Sequence, residues 1–100
     1  MLEQLSTEQT GNRIIVTVIG QDTVGIIARV SGILAENKIN ILDISQTILQ
    51  EFFAMVMIAD MQNSTIELSA LKEKLNNLGK EMGVKIDAQH EDVFRYMHRI

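Results

Sequence analysis

The hydrophobic and polar positions along the chain predict six elements in the order β, α, β, β, α, β. Residues 13–19 predict a strand that is apolar on both faces, which is typical of a central strand. Apolar residues at helical spacing predict a helix over residues 24–36, which ends near Asn37 and takes Asp22 or Thr23 as its N-cap.

The middle of the chain predicts a β-hairpin. Residues 40–50 alternate between apolar and polar side chains, which indicates an edge strand that is buried on one side only. A tight turn at Gln50 and Glu51 then leads into residues 52–61, which are apolar on both faces.

A second helix and a last strand follow the hairpin. Ser64 and Glu67 predict a capping box, and a stripe of leucines after them predicts a helix that stops at Gly83. Residues 84–89 alternate again and predict a fourth strand, while residues 91–100 predict a short helix or tail.

This order predicts an α+β fold, the ferredoxin-like βαββαβ sandwich, in which a four-stranded antiparallel sheet carries two helices on one face. A chain of this length forms one hydrophobic core. We therefore expect residues 1–12 to be a loosely held extension and residues 13–100 to be a single domain that includes the tail 91–100.

The sheet face that the helices leave open is also predicted to be apolar. We expect Phe53, Met55 and Met57 to lie on that face, together with one face of the first strand. Because an exposed apolar face of this size usually marks an interface, we expect a homodimer.

Composition and charge exclude several partners and sites. A net charge of −4 and a pI near 5.0 argue against nucleic acid and against an anionic membrane surface, because both require a basic footprint. The chain has no cysteine, so thiolate metal sites, disulfides and thiol nucleophiles are excluded. It also lacks a basic, apolar N-terminal signal and a long apolar run, and we therefore expect a cytoplasmic protein.

The common activities of this architecture do not fit the chain. Metal carriers need a cysteine pair in the first loop, and RNA-recognition modules need aromatic residues on a basic sheet. Acylphosphatases need an arginine at the first loop, where GQDTVG has no cation. No catalytic triad, carboxylate pair or metal cluster emerges, so we expect neither an enzyme nor a cofactor.

The C-terminal tail brings both histidines of the chain near acidic residues, which makes a metal site conceivable at His90, Glu91, Asp92 and His98. The two histidines do not share one helical face well, and no further ligand is fixed. We favour a tail that docks on the domain or on its partner through an apolar stripe, with Glu91 paired to Arg95. The stripe consists of Val93, Phe94, Met97 and Ile100.

The turn GQDTVG, between the first strand and the first helix, is the most informative stretch. It has the two glycines of a phosphate-binding loop, but Ile26 and Ile27 replace the lysine and the hydroxyl residue that such a loop needs. Backbone amides at the helix N-terminus suit another anion, such as a carboxylate. Asp22 is either a helix cap or an acceptor for an ammonium group, and Gly25 permits either ligand approach or close packing.

The stretch GQDTVGIIARVSGILAENKINILDIS resembles the ACT domain, a regulatory module that typically binds amino acids. Its Asp-x-x-Gly-Ile turn, its helix ending in Asn and its Asn-Ile strand opening carry the resemblance, while Val24 replaces the proline of many ACT domains and leaves the helix start less rigid. The tail QHEDVFRYMHRI resembles the C-terminus of small stand-alone bacterial and archaeal ACT proteins. Together the two stretches cover residues 13–100.

The resemblance implies a small-molecule ligand, such as an amino acid, where this turn meets the second strand of a partner subunit. The implied site residues are Gln21, Asp22, Thr23, Val24, Gly25 and Ile26 at the turn, and Asn40, Ile41, Leu42 and Asp43 on the strand. Asn40 is alternatively a left-handed turn residue before the strand.

Two functions follow from the sequence and the resemblance. The first is a non-catalytic regulatory module that binds an amino acid or similar metabolite at a homodimer interface and signals to an effector enzyme or regulator. The alternative is a purely structural protein-protein association module without a small-molecule ligand.

Overall fold

Six elements make up the part of the chain that this computed structural model describes, which is residues 12–21 and 24–93 apart from the side chain of Leu49. The strands are β1 Arg13–Gln21, β2 Asn40–Leu49, β3 Phe52–Asp60 and β4 Val84–His90, and the helices are α1 Ile26–Glu36 and α2 Leu68–Met82. The predicted order and the predicted ferredoxin-like fold are confirmed. Neither helix is long and apolar enough to cross a membrane.

The four strands form one antiparallel sheet in the order β2-β3-β1-β4. The central position predicted for β1 and the edge position predicted for β2 are both confirmed. Val16 of β1 lies between Met57 of β3 and Ala88 of β4, and this register fixes which side chains share a face.

The core lies on one side of the sheet, between the strands and the two helices. Ile14, Val16 and Val18 of β1 are buried there, as are the leucines of α2 at positions 71, 75 and 78. Such burial stabilises the fold by roughly 1.5–3 kcal/mol for each large apolar side chain that leaves water.

The prediction that Phe53, Met55 and Met57 lie on the open face is wrong, because all three are buried beneath the helices. Phe52 and Val56 of the same strand are on the open face instead and are 52% and 42% exposed. Both faces of β3 are apolar, so its own alternation cannot distinguish them.

The start of α1 differs from the prediction. Its N-cap is Gly25, with φ 88° and ψ 3°, so the prediction that Asp22 or Thr23 is the N-cap residue is wrong; both of those residues lie outside the described part of the chain. The helix consequently begins at Ile26 rather than at residue 24. Its predicted end is confirmed: Asn37 is the C-cap, and its side-chain Nδ2 donates to the carbonyl of Ile33 at 2.8 Å.

The predicted capping box of α2 is also wrong. The N-cap is Glu67, without a side-chain hydrogen bond, whereas the Ser64 hydroxyl donates to the carbonyl of Ile66 at 2.7 Å and accepts from its amide at 3.1 Å. Ser64 therefore closes a local turn ahead of the helix. The predicted stop is confirmed, since Gly83 caps the helix with φ 75°.

An ion pair fastens the end of β4 to the start of β1. Arg13 Nη2 and Glu91 Oε2 are 2.8 Å apart, and the two side chains are only 22% and 15% exposed. Glu91 thus binds Arg13, whereas its predicted partner Arg95 lies with the other residues of 94–100 outside the described part of the chain.

A double-mutant cycle checks this pair against a more exposed one. We expect a coupling free energy of about 1 kcal/mol for Arg13→Met with Glu91→Gln, and under ~0.5 kcal/mol for the equivalent cycle on Arg29 and Glu81. The reason is solvent screening, because Arg29 and Glu81 are 49% and 62% exposed at a similar distance of 2.9 Å. Equal couplings in urea denaturation would contradict this ranking.

Candidate functional site

Gly25 gives the turn between β1 and α1 its shape. Its φ of 88° lies in the left-handed region, and a Cβ built on it would have no atom of the described residues within 4 Å, its two chain neighbours apart. Gly25 is therefore needed for its backbone conformation and not for close packing within the chain, which removes that alternative. The neighbouring side chain of Val24 is 98% exposed, so the turn is open to solvent.

The first turn of α1 supplies the electrostatics of the site. The amide of Arg29 makes the first helical bond, to the carbonyl of Gly25 at 2.9 Å, so the preceding helical amides have no acceptor within the helix. No acidic residue occupies the first turn, so no side chain of the first turn itself offsets the partial positive charge at the start of the helix. Ile26 contributes only backbone to this surface, because its side chain is buried.

The second half of the predicted site lies at the start of β2. Asn40 is exposed and pairs with Asp60, and a register shift between Ile41 and Asp43 leaves Leu42 40% exposed. Asn40 is already part of the strand, so the alternative that it is a left-handed turn residue is wrong. Lys38 has that conformation, with φ 60°.

The two halves of the site do not meet within one chain. Gln21 pairs with Phe52 at one end of β3, and Ile41 pairs with Ala59 near the other end. Seven residues of strand separate these rows, which corresponds to about 24 Å. A site that uses both halves must take one of them from a second copy of the chain.

Known proteins share both the sequence and this fold. The sequence profile of the ACT domain family matches residues 12–89. The chain belongs to the ACT domain family. A UPF0237 protein of Methanocaldococcus jannaschii is 53% identical over 89 residues, which cover 89% of this chain and 99% of that protein.

Solved structures show the same ACT architecture. An ACT domain protein from Streptococcus pneumoniae is 37% identical with a TM-score of 0.73, over 84% of this chain and 94% of that one. The ligand-free regulatory subunit of aspartate kinase from Thermus thermophilus shares the fold at 22% identity and a TM-score of 0.61, over 81% of this chain and 52% of that subunit.

An apolar strip follows β2 of this ACT domain, and the sequence did not predict its exposure. Leu42, Ile44 and Ile48, which we call the β2 strip, are 40%, 41% and 55% exposed. The expectation that this strand buries one side is therefore wrong for the single chain, because Ile41 alone among its described side chains is even partly buried. Ile44 and Ile48 are on the helix-bearing side of the sheet, but the two helices do not cover this edge.

The acidic and histidine side chains at the end of β4 bind other groups of the protein. His90 Nδ1 accepts the amide of Asp92 at 3.1 Å, and Glu91 binds Arg13. Within residues 12–21 and 24–93, no three His, Asp or Glu side chains are grouped as metal ligands would be, and His98 lies outside those ranges.

Proposed function

We propose that this ACT domain is a non-catalytic regulatory module, which binds an amino acid or a similar small metabolite between two copies of the chain and signals its occupancy to a partner protein. The observation that carries the proposal is the open turn at Gly25, which follows the end of β1 at Gln21. The row of Gln21 lies about 24 Å along β3 from the row of Ile41, which is one of the strand residues that the resemblance assigns to the ligand.

Pairing of two β2 strands would complete such a site. β2 is an edge strand with one unpaired row of backbone groups, and the β2 strip beside it is exposed. A twofold axis near Gln46, normal to the sheet, would pair the two β2 strands antiparallel. Residues 40–43 of the partner subunit would then lie at the end of the sheet where the turn is, and both copies would form the same site.

The chemistry of the turn favours a zwitterion. A ligand carboxylate would accept hydrogen bonds from the amides in the first turn of α1, where the helix dipole is positive. An ammonium group would donate to the carboxylate of Asp22, and Asn40 of the partner subunit would donate or accept one further bond. Both ends of an amino acid are thereby recognised.

Contact with another protein would transmit the signal. The ligand binds one of two dimer geometries more tightly than the other, and its binding therefore shifts the equilibrium toward that geometry. An effector enzyme or regulator that binds only one geometry would respond to this shift. The Thermus thermophilus neighbour is by name a regulatory subunit of a kinase, which is the mode of action proposed here. A cytoplasmic location, as expected from the sequence, is part of this proposal.

A purely structural association module is the second candidate. It is favoured by the exposed apolar side chains on the open face of the sheet, which suit protein contacts whether or not a ligand binds.

Thermal unfolding of the full chain with each of the twenty standard amino acids separates the two candidates. We expect at least one of them, at 100 times its dissociation constant, to stabilise the protein by about 2.7 kcal/mol. Isothermal titration with the same amino acid should then give one site per chain. An unfolding temperature that none of the twenty raises would favour the structural module.

A further inference from the structure

The open face of the sheet carries a central apolar stripe across β1 and β3. We define this stripe by its apolar side chains Ile15, Ile19, Phe52, Ala54, Val56 and Ile58. Ile19 and Phe52 are more than half exposed, and Val56 is 42% exposed. Thr17, the remaining residue between them, is uncharged as well.

Polar side chains on the two edge strands flank this stripe. Lys85, Asp87 and Gln89 of β4 lie on one side, and Asp43, Ser45 and Thr47 of β2 lie on the other. An apolar centre without charges and a polar rim is the usual anatomy of a protein interface. The opposite distribution, with charges scattered over the whole face, is expected for a sheet that faces only water.

We propose that the open face binds the open face of a second copy of this chain, about a twofold axis that lies in the interface perpendicular to the strands. Each strand then faces its own counterpart in the antiparallel direction. This contact is separate from the β2 edge that serves the proposed ligand site, and it buries the apolar stripe of both copies.

The distribution of charge selects this axis. Residues that lie side by side across the four strands form a row. An axis midway between the row that contains Lys85 and the row that contains Asp87 sets Lys85 against Asp87 of the partner subunit, and the twofold symmetry repeats that pair. Asp87 Oδ1 also accepts the amide of Ala88, and its Oδ2 accepts from the Gln89 side chain, which leaves its charge available to a lysine. An axis parallel to the strands would instead oppose Lys85 to Thr47 and leave the lysine unpaired.

The same axis also matches the apolar residues. It sets Phe52 against Ile58 of the partner subunit and Val56 against Ala54 of the partner subunit, so the larger side chain of each pair meets a smaller one. The two aligned sheets then pack about 10 Å apart, as in a β-sandwich.

The area is sufficient for a stable contact. Four strands spaced ~4.8 Å apart and about nine residues long give a flat face of roughly 570 Å². Two such faces exceed the roughly 1,000 Å² that a specific interface needs.

Both twofold contacts can exist in one closed particle. The axis at the β2 edge is normal to the sheet and passes near Gln46, which lies at the same height along the strands as the midpoint between the rows of Lys85 and Asp87. Perpendicular twofold axes that meet generate a closed assembly of four chains. The structure thus supports a tetramer of two β2-paired dimers.

Sedimentation equilibrium of two charge-introducing variants tests the proposal. We expect the wild-type protein to have the mass of four 11.2 kDa chains. Val56→Lys on the apolar stripe should reduce the mass to two chains and retain the ligand-induced stabilisation. Ile44→Lys on the β2 strip should also give two chains but abolish that stabilisation.

The two variants separate the open-face contact from the ligand site. A folded Val56→Lys protein with the wild-type mass overturns the open-face proposal, and so does a wild-type protein that sediments as one chain. An Ile44→Lys protein that keeps the wild-type mass contradicts only the β2 pairing. Circular dichroism confirms folding, and Ile19→Lys is the second open-face variant if Val56→Lys does not fold.

Charge reversal tests the axis itself. Lys85→Asp places an aspartate against Asp87 of the partner subunit at both symmetric positions. The repulsion should weaken the open-face association about tenfold at low salt. Lys85→Asp combined with Asp87→Lys exchanges the charges and should restore it. Failure of the double variant to restore the association would contradict the proposed axis.

Discussion

A lysine in place of Met57 is expected to abolish folding. Met57 is fully buried between the sheet and the helices, where it pairs with Val16, which is also fully buried. An unpaired ammonium group there loses its hydration without gaining a partner, at a cost of several kcal/mol or more. That cost is comparable with the whole stability of an ordinary domain, about 5–15 kcal/mol.

The adjacent position is the matched control. Val56 is on the opposite face of the same strand and is 42% exposed, so Val56→Lys should change the free energy of unfolding by only about 1 kcal/mol, apart from the loss of the proposed open-face association. Urea denaturation followed by circular dichroism measures both variants. A folded Met57→Lys protein together with an unfolded Val56→Lys protein would mean that the two faces of β3 are assigned the wrong way round.

Replacing Gly25 with asparagine is expected to remove ligand binding while leaving the fold intact. Asparagine tolerates the left-handed conformation at a cost of about 1 kcal/mol or less, and a Cβ added at Gly25 would meet no atom of the described residues within 4 Å. That side chain would occupy the position in which the ligand carboxylate is proposed to approach the helix. The stabilisation of about 2.7 kcal/mol at 100 times the dissociation constant should therefore vanish.

Gly83 provides the control for this substitution. It also has a left-handed backbone, with φ 75°, and an added Cβ would again meet no atom of the described residues within 4 Å, chain neighbours apart. Gly83→Asn should cost the same stability without the ligand but keep the full ligand-induced shift in thermal unfolding. Loss of the shift in both variants, or retention of it in Gly25→Asn, would contradict a ligand site at the turn.

A helix or strand could be predicted from the sequence where its apolar and polar residues are compatible with one way of packing against the core. The alternation of β4 and the leucine stripe that ends at Gly83 predicted the correct strand and helix, because only one face of each of these elements suits the core. The faces of β3 could not be assigned, since both are apolar. The polar face of β4 identifies the open side, but only after the register pairs Lys85 with Ile19.

The helix caps show a similar limit. Asp22, Thr23 and Ser64 are residue types that favour N-caps, yet the N-caps are Gly25 and Glu67. Cap propensities are small compared with the packing that fixes where a helix meets the sheet. The composition of the candidate site could be read from the resemblance, whereas the separation of its two halves appears only from the strand register.

Complementation between two non-binding variants tests the central claim, that each ligand site is built from the turn of one chain and the β2 strand of another. Gly25→Asn damages the turn, and Asn40→Ala damages the strand. When equal amounts of the two variant proteins are refolded together, random pairing makes about half of the dimers mixed. Each mixed dimer has one undamaged site and one site with both substitutions, so about a quarter of the wild-type sites should be restored. Isothermal titration of the mixture should detect this fraction; no binding in the mixture, with both variants folded and paired, would contradict a site shared between two chains.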